Sequence, residues 1–295
     1  MIGSGLGIFA SQQESAPSLL LDLYPSNTVL AQSVRKLRTA YTGNAEEVRV
    51  DEVGQPQYNI GFNGEDLDEA ALVSNANGND AFLANWYDQE NANNFPQSQA
   101  ARQAKVVNAG SIIKEGGKPT VSFGSGGMAT SSAVALGGAT ELWLFIAVDI
   151  GSTNPFCYFY QSSFFYGAIL NTFAIVTVGN EIKIRQNSSD GQNRNEATIN
   201  IGLQLWTIRL VGGQLGTDAA ELWINGSPVS LTNEPAYSKL SPTSYGDYPH
   251  FLGARDNINN VFQGNISEVI LKTGNQSANR AGIEANMAAY YGITI

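Results

Sequence analysis

After about residue 80 the chain alternates apolar and polar positions with a period of two, the pattern of strands that bury one face. Residues 81–87, 118–123, 156–160, 173–178, 181–186, 197–201, 205–210 and 250–254 carry this pattern. The run 141–150 is almost wholly apolar and predicts a strand covered on both faces. Residues 222–224 and 227–231 flank Asn225-Gly226, a dipeptide that accepts the positive φ of a two-residue hairpin. Residues 264–272 form the last predicted strand. Before residue 80 the period is mixed. Leu30, Val34, Leu37 and Tyr41 recur at helical spacing and predict a helix over 26–42, capped by Ser26 or Asn27 and ended by Gly43. Residues 46–50 alternate as a strand. Short helices are predicted over 65–74 and 277–290. Many short strands separated by Gly and Asn turns, with no strand–helix–strand alternation, predict an all-β fold. The expected architecture is a two-sheet antiparallel jelly-roll sandwich with a few peripheral helices. Residues 1–18 read as an arm able to dock on another subunit, followed by one sandwich domain over 19–295.

Composition sharpens this. The chain has 31 glycines and a formal net charge of −10, which suits a turn-rich, soluble protein. Phosphate backbones repel such a surface, and no Lys/Arg cluster offsets it, so nucleic acid is excluded as a partner. No apolar stretch has the length of a membrane span, and the N-terminus lacks the basic and apolar regions of a signal peptide. One cysteine, Cys157, precludes an intrachain disulfide and reads as a buried thiol. One histidine, His250, excludes a histidine-based zinc site within one chain.

Three blocks carry a family resemblance. They are Ser33-Val-Arg-Lys-Leu-Arg-Thr-Ala-Tyr-Thr-Gly43 with Asn59-Ile-Gly-Phe62, Trp86-Tyr-Asp-Gln89, and Phe251-Leu-Gly-Ala-Arg-Asp-Asn257 with Phe262-Gln-Gly-Asn-Ile-Ser-Glu-Val-Ile270. Together they resemble the concanavalin A-like (laminin G-like) domains related to the arabinofuranosidase B catalytic domain, a type also found in bacteriophage virion and bacterial surface proteins. The resemblance implies a jelly roll with a carbohydrate-type binding face. In the hydrolytic relatives a Glu nucleophile and an Asp general acid act together. The resemblance maps the Asp to Asp256, whereas Glu181 is the nearest candidate for the Glu, in different surroundings. The family's early cysteines have no counterpart.

The candidate chemistry follows from residue types. A retaining glycosidase needs two carboxyl groups about 5–5.5 Å apart, and Asp256 with Glu181 is the alternative catalytic pair. Each also has a plainer reading, Asp256-Asn257 as a turn dipeptide and Glu181 as a solvated charge. Sugar binding needs aromatic platforms and planar polar groups. The expected ligand-binding residues are Tyr166, Tyr245, Tyr248, Arg255, Asp256 and Asn257, with Tyr158, Tyr160, Gln161, Asn187 and Asn195 also within the candidate set. No cofactor is expected. Asp88 and Glu90, beside an Asn-rich loop, are the weak candidates for calcium, against an Asx-turn network that is the preferred reading. The main functional expectation is a non-enzymatic virion or surface protein, forming a homo-oligomer with other virion subunits and attaching to glycans or a host-surface polysaccharide. The alternatives are a retaining glycoside hydrolase of arabinofuranosidase type and a purely structural subunit.

Overall fold

The computed structural model describes residues 19–151, 154–163, 169–256 and 258–295. The arm at 1–18 lies outside the described residues. Two antiparallel sheets face each other. The larger, 13-stranded sheet runs in spatial order Ser227–Val229, Ala220–Ile224, Gly202–Val211, Glu141–Ile150, Gly264–Thr273, Val121–Phe123, Lys105–Asn108, Ala81–Trp86, Glu46–Val50, Gln57–Ile60, with three further strands off this path, Thr28–Ser33 on Gly264–Thr273, Phe95–Pro96 on Ala81–Trp86 and Ser111–Ile112 on Lys105–Asn108. The smaller, 7-stranded sheet runs Met128–Ala129, His250–Leu252, Asn154–Ser162, Thr172–Gly179, Glu181–Ser188, Gly191–Thr198, Thr232–Asn233. The all-β sandwich follows from the alternation. Leu205 and Trp206 of the large sheet and Phe159, Phe173, Ile175, Ile182 and Ile184 of the small one belong to one continuous buried cluster. Trp206 meets Phe159 at 5.5 Å between ring centroids, locking the two layers together.

Glu141–Ile150 is the strand expected, and it pairs on both sides, with Gly202–Val211 and Gly264–Thr273. Its outer face is covered by the closing helix, Arg280–Tyr291, which buries Ile283, Met287 and Tyr291. Trp143 stacks on Trp223 there at 5.7 Å. The Asn225-Gly226 hairpin forms with φ of 51° and 74° at its two central residues.

The helix expected over 26–42 is instead a strand, Thr28–Ser33, pairing antiparallel with Gly264–Thr273. All six of its residues are buried. Burial on both faces leaves no polar stripe, so the helical spacing of Leu30, Val34 and Leu37 was coincidental. The second helix begins at Glu69, later than expected, because Phe62–Asn63 and Asp66–Leu67 pair first and Asp68 caps the helix through the Ala71 N–H at 3.0 Å. The strand expected over 197–201 runs instead over Gly191–Thr198. Besides Ala197, its inward residues are polar: Asn193 donates to Lys239 O at 2.7 Å, and Asn195 donates to Asn193 Oδ1 at 2.6 Å. A hydrophobicity pattern does not register a strand whose inner face is made of hydrogen-bonded asparagines.

Opposite the small sheet, a buried ion pair ties three elements together. Arg35 reaches Glu268 through Nε at 2.8 Å and Nη2 at 3.1 Å, while Ser33 and Tyr291 donate to the same carboxylate at 2.8 and 3.0 Å.

Candidate functional site

The outward face of the small sheet holds the candidate site. Sheets of sandwiches usually show water a polar outer face. Here Ala174 and Val176, alternating with the inward Phe173 and Ile175, are fully buried on that second face and form a separate small cluster with Tyr158. A bulge between Tyr158 and Tyr160 shifts the register of Asn154–Ser162. Phe159 and Tyr160 thereby both enter the main core, and Tyr158 and Gln161 can share the outer face although they are three residues apart.

Gln161 opens toward the turn after His250–Leu252, which carries Arg255 and Asp256. Asp256 adopts φ 51°, a left-handed conformation that Asp tolerates better than most residues. Its Oδ1 accepts from Gln161 Nε2 at 3.4 Å. Its Oδ2 lies 3.5 Å from Arg255 Nε, close enough for charge attraction but not aligned as a hydrogen bond. Gln161 also donates to Ser163 O at 2.8 Å, leaving Gln161 Oε1 and Ser163 Oγ buried with no partner among the described residues. The Arg255 guanidinium sits 5.7 Å from the Tyr158 ring. Phe156 meets Tyr158 edge-on at 5.5 Å, and Arg185 caps Phe156 at 4.9 Å. The result is a carboxyl group, two guanidinium groups, orphaned amide and hydroxyl oxygens and an aromatic pair on one face, a combination suited to a polyhydroxylated ligand.

The structure brings Arg255, Asp256, Gln161 and Tyr158, each named from the sequence, to one face, and sequence reasoning missed Arg185. The alternation in Glu181-Ile-Lys-Ile-Arg185 carried the signal, since Ile182 and Ile184 point inward and Lys183 and Arg185 must point out. The expected ligand residues Tyr166 and Asn257 lie outside the described residues. Tyr245 is a correction. It is 1% exposed, its hydroxyl donates to Gln186 Oε1 at 2.6 Å, and its ring meets Phe173 in the core. Tyr248 donates to Leu170 O at 3.1 Å, on the loop side of the sheet. Asn187 is buried and spends its amide on Ile169 O at 2.6 Å.

Glu181 is not brought to Asp256. Gln161, which touches Asp256, pairs with Ala174, whereas Glu181 pairs with Val178 at the far end of the same hairpin. Four residues along the strand and two strands across put the carboxyl groups roughly 15 Å apart. Glu181 instead joins Glu196 and Glu234 around Lys183 at 3.6, 2.5 and 3.0 Å, as one of its solvated partners.

Asp88 and Glu90 are committed elsewhere. The Asp88 carboxylate accepts the N–H groups of Ala31, Glu90, Asn91 and Asn93 at 2.8–3.1 Å, the Asx-type knot that holds the loop, and Glu90 pairs with Arg38 at 2.6 Å. His250 is buried, with Nδ1 2.6 Å from Tyr160 Oη, and burial pushes its pKa down to about 3, so it stays neutral. Burial also raises the Cys157 thiol, which lies 2.8 Å from Thr177 Oγ1 inside the sandwich.

No protein-family model matches the chain, and no curated protein matches its sequence. Solved structures do. The fold is that of the jelly-roll sandwiches of arabinofuranosidases. An arabinofuranosidase complexed with arabinofuranosyl-α-1,2-xylobiose shares it at a TM-score of 0.65 and 16% identity over 91% of this chain. A GH54 α-L-arabinofuranosidase soaked with a cyclic sulfate inhibitor does so at 0.66 and 16% over 92%. A variant of a GH54 enzyme soaked with 4-nitrophenyl α-L-arabinofuranoside does so at 0.60 and 15% over 92%. In each case the match spans 64% of the other chain. These findings correct the expectation of a non-enzymatic virion or surface protein, because these three structures, which superpose over nine-tenths of the chain, are arabinofuranosidases.

Proposed function

We propose that this chain is a glycoside hydrolase domain acting on arabinofuranosyl or related sugars, with the outer face of the small sheet as its glycan face and Asp256 as proton donor. The observation that carries the proposal is the placing of the Asp256 carboxyl group against Gln161 and Arg255, beside the Phe156–Tyr158 pair. The arabinofuranosyl-bearing relatives of the same fold support the choice of sugar. Asp256 gives its proton to the glycosidic oxygen as the bond to the anomeric carbon breaks. Water supplies the hydroxyl group to that carbon, and its remaining proton restores the acid. Gln161 and Arg255 orient the carboxyl group. Glu181 has no part in this step, given its distance.

The test is turnover of 4-nitrophenyl α-L-arabinofuranoside by the full chain. The parent is expected to release nitrophenol, Asp256→Asn to lose about 100-fold or more, and Glu181→Gln to match the parent. A parent with no turnover above the blank, or an Asp256→Asn variant as fast as the parent, overturns the proposal.

A further inference from the structure

Arg185 is 8% exposed, yet among the described residues its Nε has no hydrogen-bond partner and no carboxylate pairs with it. Its guanidinium lies over the Phe156 ring, at 4.9 Å. A buried guanidinium without an anion is costly, since it loses hydration and gains no opposite charge. A second observation points the same way. Arg185 stands directly opposite Arg194 in the strand pairing, and like charges directly opposite each other repel. Arg194 has its own counter-ion, Glu234 at 3.3 Å, and lies over Tyr237 at 3.4 Å. Lys183, next outward on the same strand face, is surrounded by three carboxylates. Arg255 has Asp256. Arg185 is therefore the uncompensated cation of a row whose other members are paired.

We propose that Arg185 is the counter-ion for a carboxylate on the bound glycan, so that the site takes uronic-acid-bearing sugars in preference to neutral ones. The planar fork of an arginine matches a carboxylate with two parallel N–H···O bonds. The orphaned Gln161 Oε1 and Ser163 Oγ, two strands across the sheet on Asn154–Ser162 and the turn after it, then accept from or donate to sugar hydroxyls. The inference rests on the outer face of the small sheet being the glycan face, and it is independent of which residue performs hydrolysis.

The test is calorimetric titration of the full chain with D-glucuronate, D-glucose and glucose 6-sulfate, the first two differing only in carboxylate against hydroxymethyl. Glucuronate is expected to bind about tenfold more tightly than glucose. Arg185→Met removes that ratio, and Arg185→Lys keeps a fraction of it, because the ammonium retains charge but not the fork. Equal binding of the two sugars by the parent, absence of binding by both, or a preference surviving in natively folded Arg185→Met overturns the inference. Should Arg185→Met fail to fold, an unchanged ratio in Arg185→Lys does the same. Tighter binding of the sulfate overturns the assignment to a carboxylate. Turnover of the nitrophenyl arabinofuranoside without a glucuronate preference refutes this inference alone. A glucuronate preference without turnover refutes the hydrolase proposal alone.

Discussion

Glu46 offers the sharpest test of the energetics. It starts the strand Glu46–Val50, is 1% exposed, and its Oε1 has no hydrogen-bond partner. Its surroundings include Val34, Leu67, Leu72, Val106 and Ile112, and its cross-strand partners are Trp86 and Ile60. Burial among these groups pushes its pKa from 4.5 up to about 8. The sign follows from proton counting. Between these two values the unfolded chain releases a proton that the folded chain keeps, so stability falls as pH rises. Below 4.5 both states are protonated and nothing is lost, and above about 8 both are ionised and the loss is complete. At about 1.4 kcal/mol per pH unit the loss across the window is roughly 5 kcal/mol. Glu46→Gln keeps the shape of the protonated acid and cannot ionise. Its melting temperature should therefore gain on the parent steadily from pH 4.5 to 8, by a total of about 10 °C at roughly 2 °C per kcal/mol. Other titrating groups are common to both proteins and cancel in the difference. A difference between variant and parent that stays constant across this pH range would refute the assignment of Glu46 as a buried neutral acid.

Two further outcomes concern stability alone. Arg35→Met strands the Glu268 carboxylate beside Ser33 and Tyr291 and should cost about 3–5 kcal/mol in denaturant unfolding, whereas a loss below about 1 kcal/mol would show that the pair is hydrated. Lys272 is buried, with Nζ bonded to Tyr24 O and Thr28 Oγ1 at 2.8 and 2.5 Å, and burial lowers its pKa from 10.5 to about 8. Here the unfolded chain holds the extra proton between those values, so stability rises from pH 8 to 10.5. Lys272→Met should abolish that rise, and a rise of the same size in the variant would exclude Lys272 as its source.

Much of the fold was legible because the strands bury their inward side in one shared core. The apolar run located Glu141–Ile150, the period of two located Thr172–Gly179, Glu181–Ser188 and Gly202–Val211 to within a residue or three, and Asn225-Gly226 fixed its hairpin through local conformational freedom. These features depend on neighbours in sequence. Thr28–Ser33 did not yield to the same reasoning, since its role is set by a partner strand more than two hundred residues away. Gly191–Thr198 escaped because its inner face is polar and paired across space. For the candidate site, residue types and the family resemblance drew attention to Asp256 and Arg255. Only the register of the small sheet could show that Glu181 stands at the wrong end of its hairpin, that Tyr245 belongs to the core, and that Arg185 lies buried without a counter-charge. Distances between strands and the loss of water around a charge are properties of the packed molecule, and alternation along one strand carries no information about either.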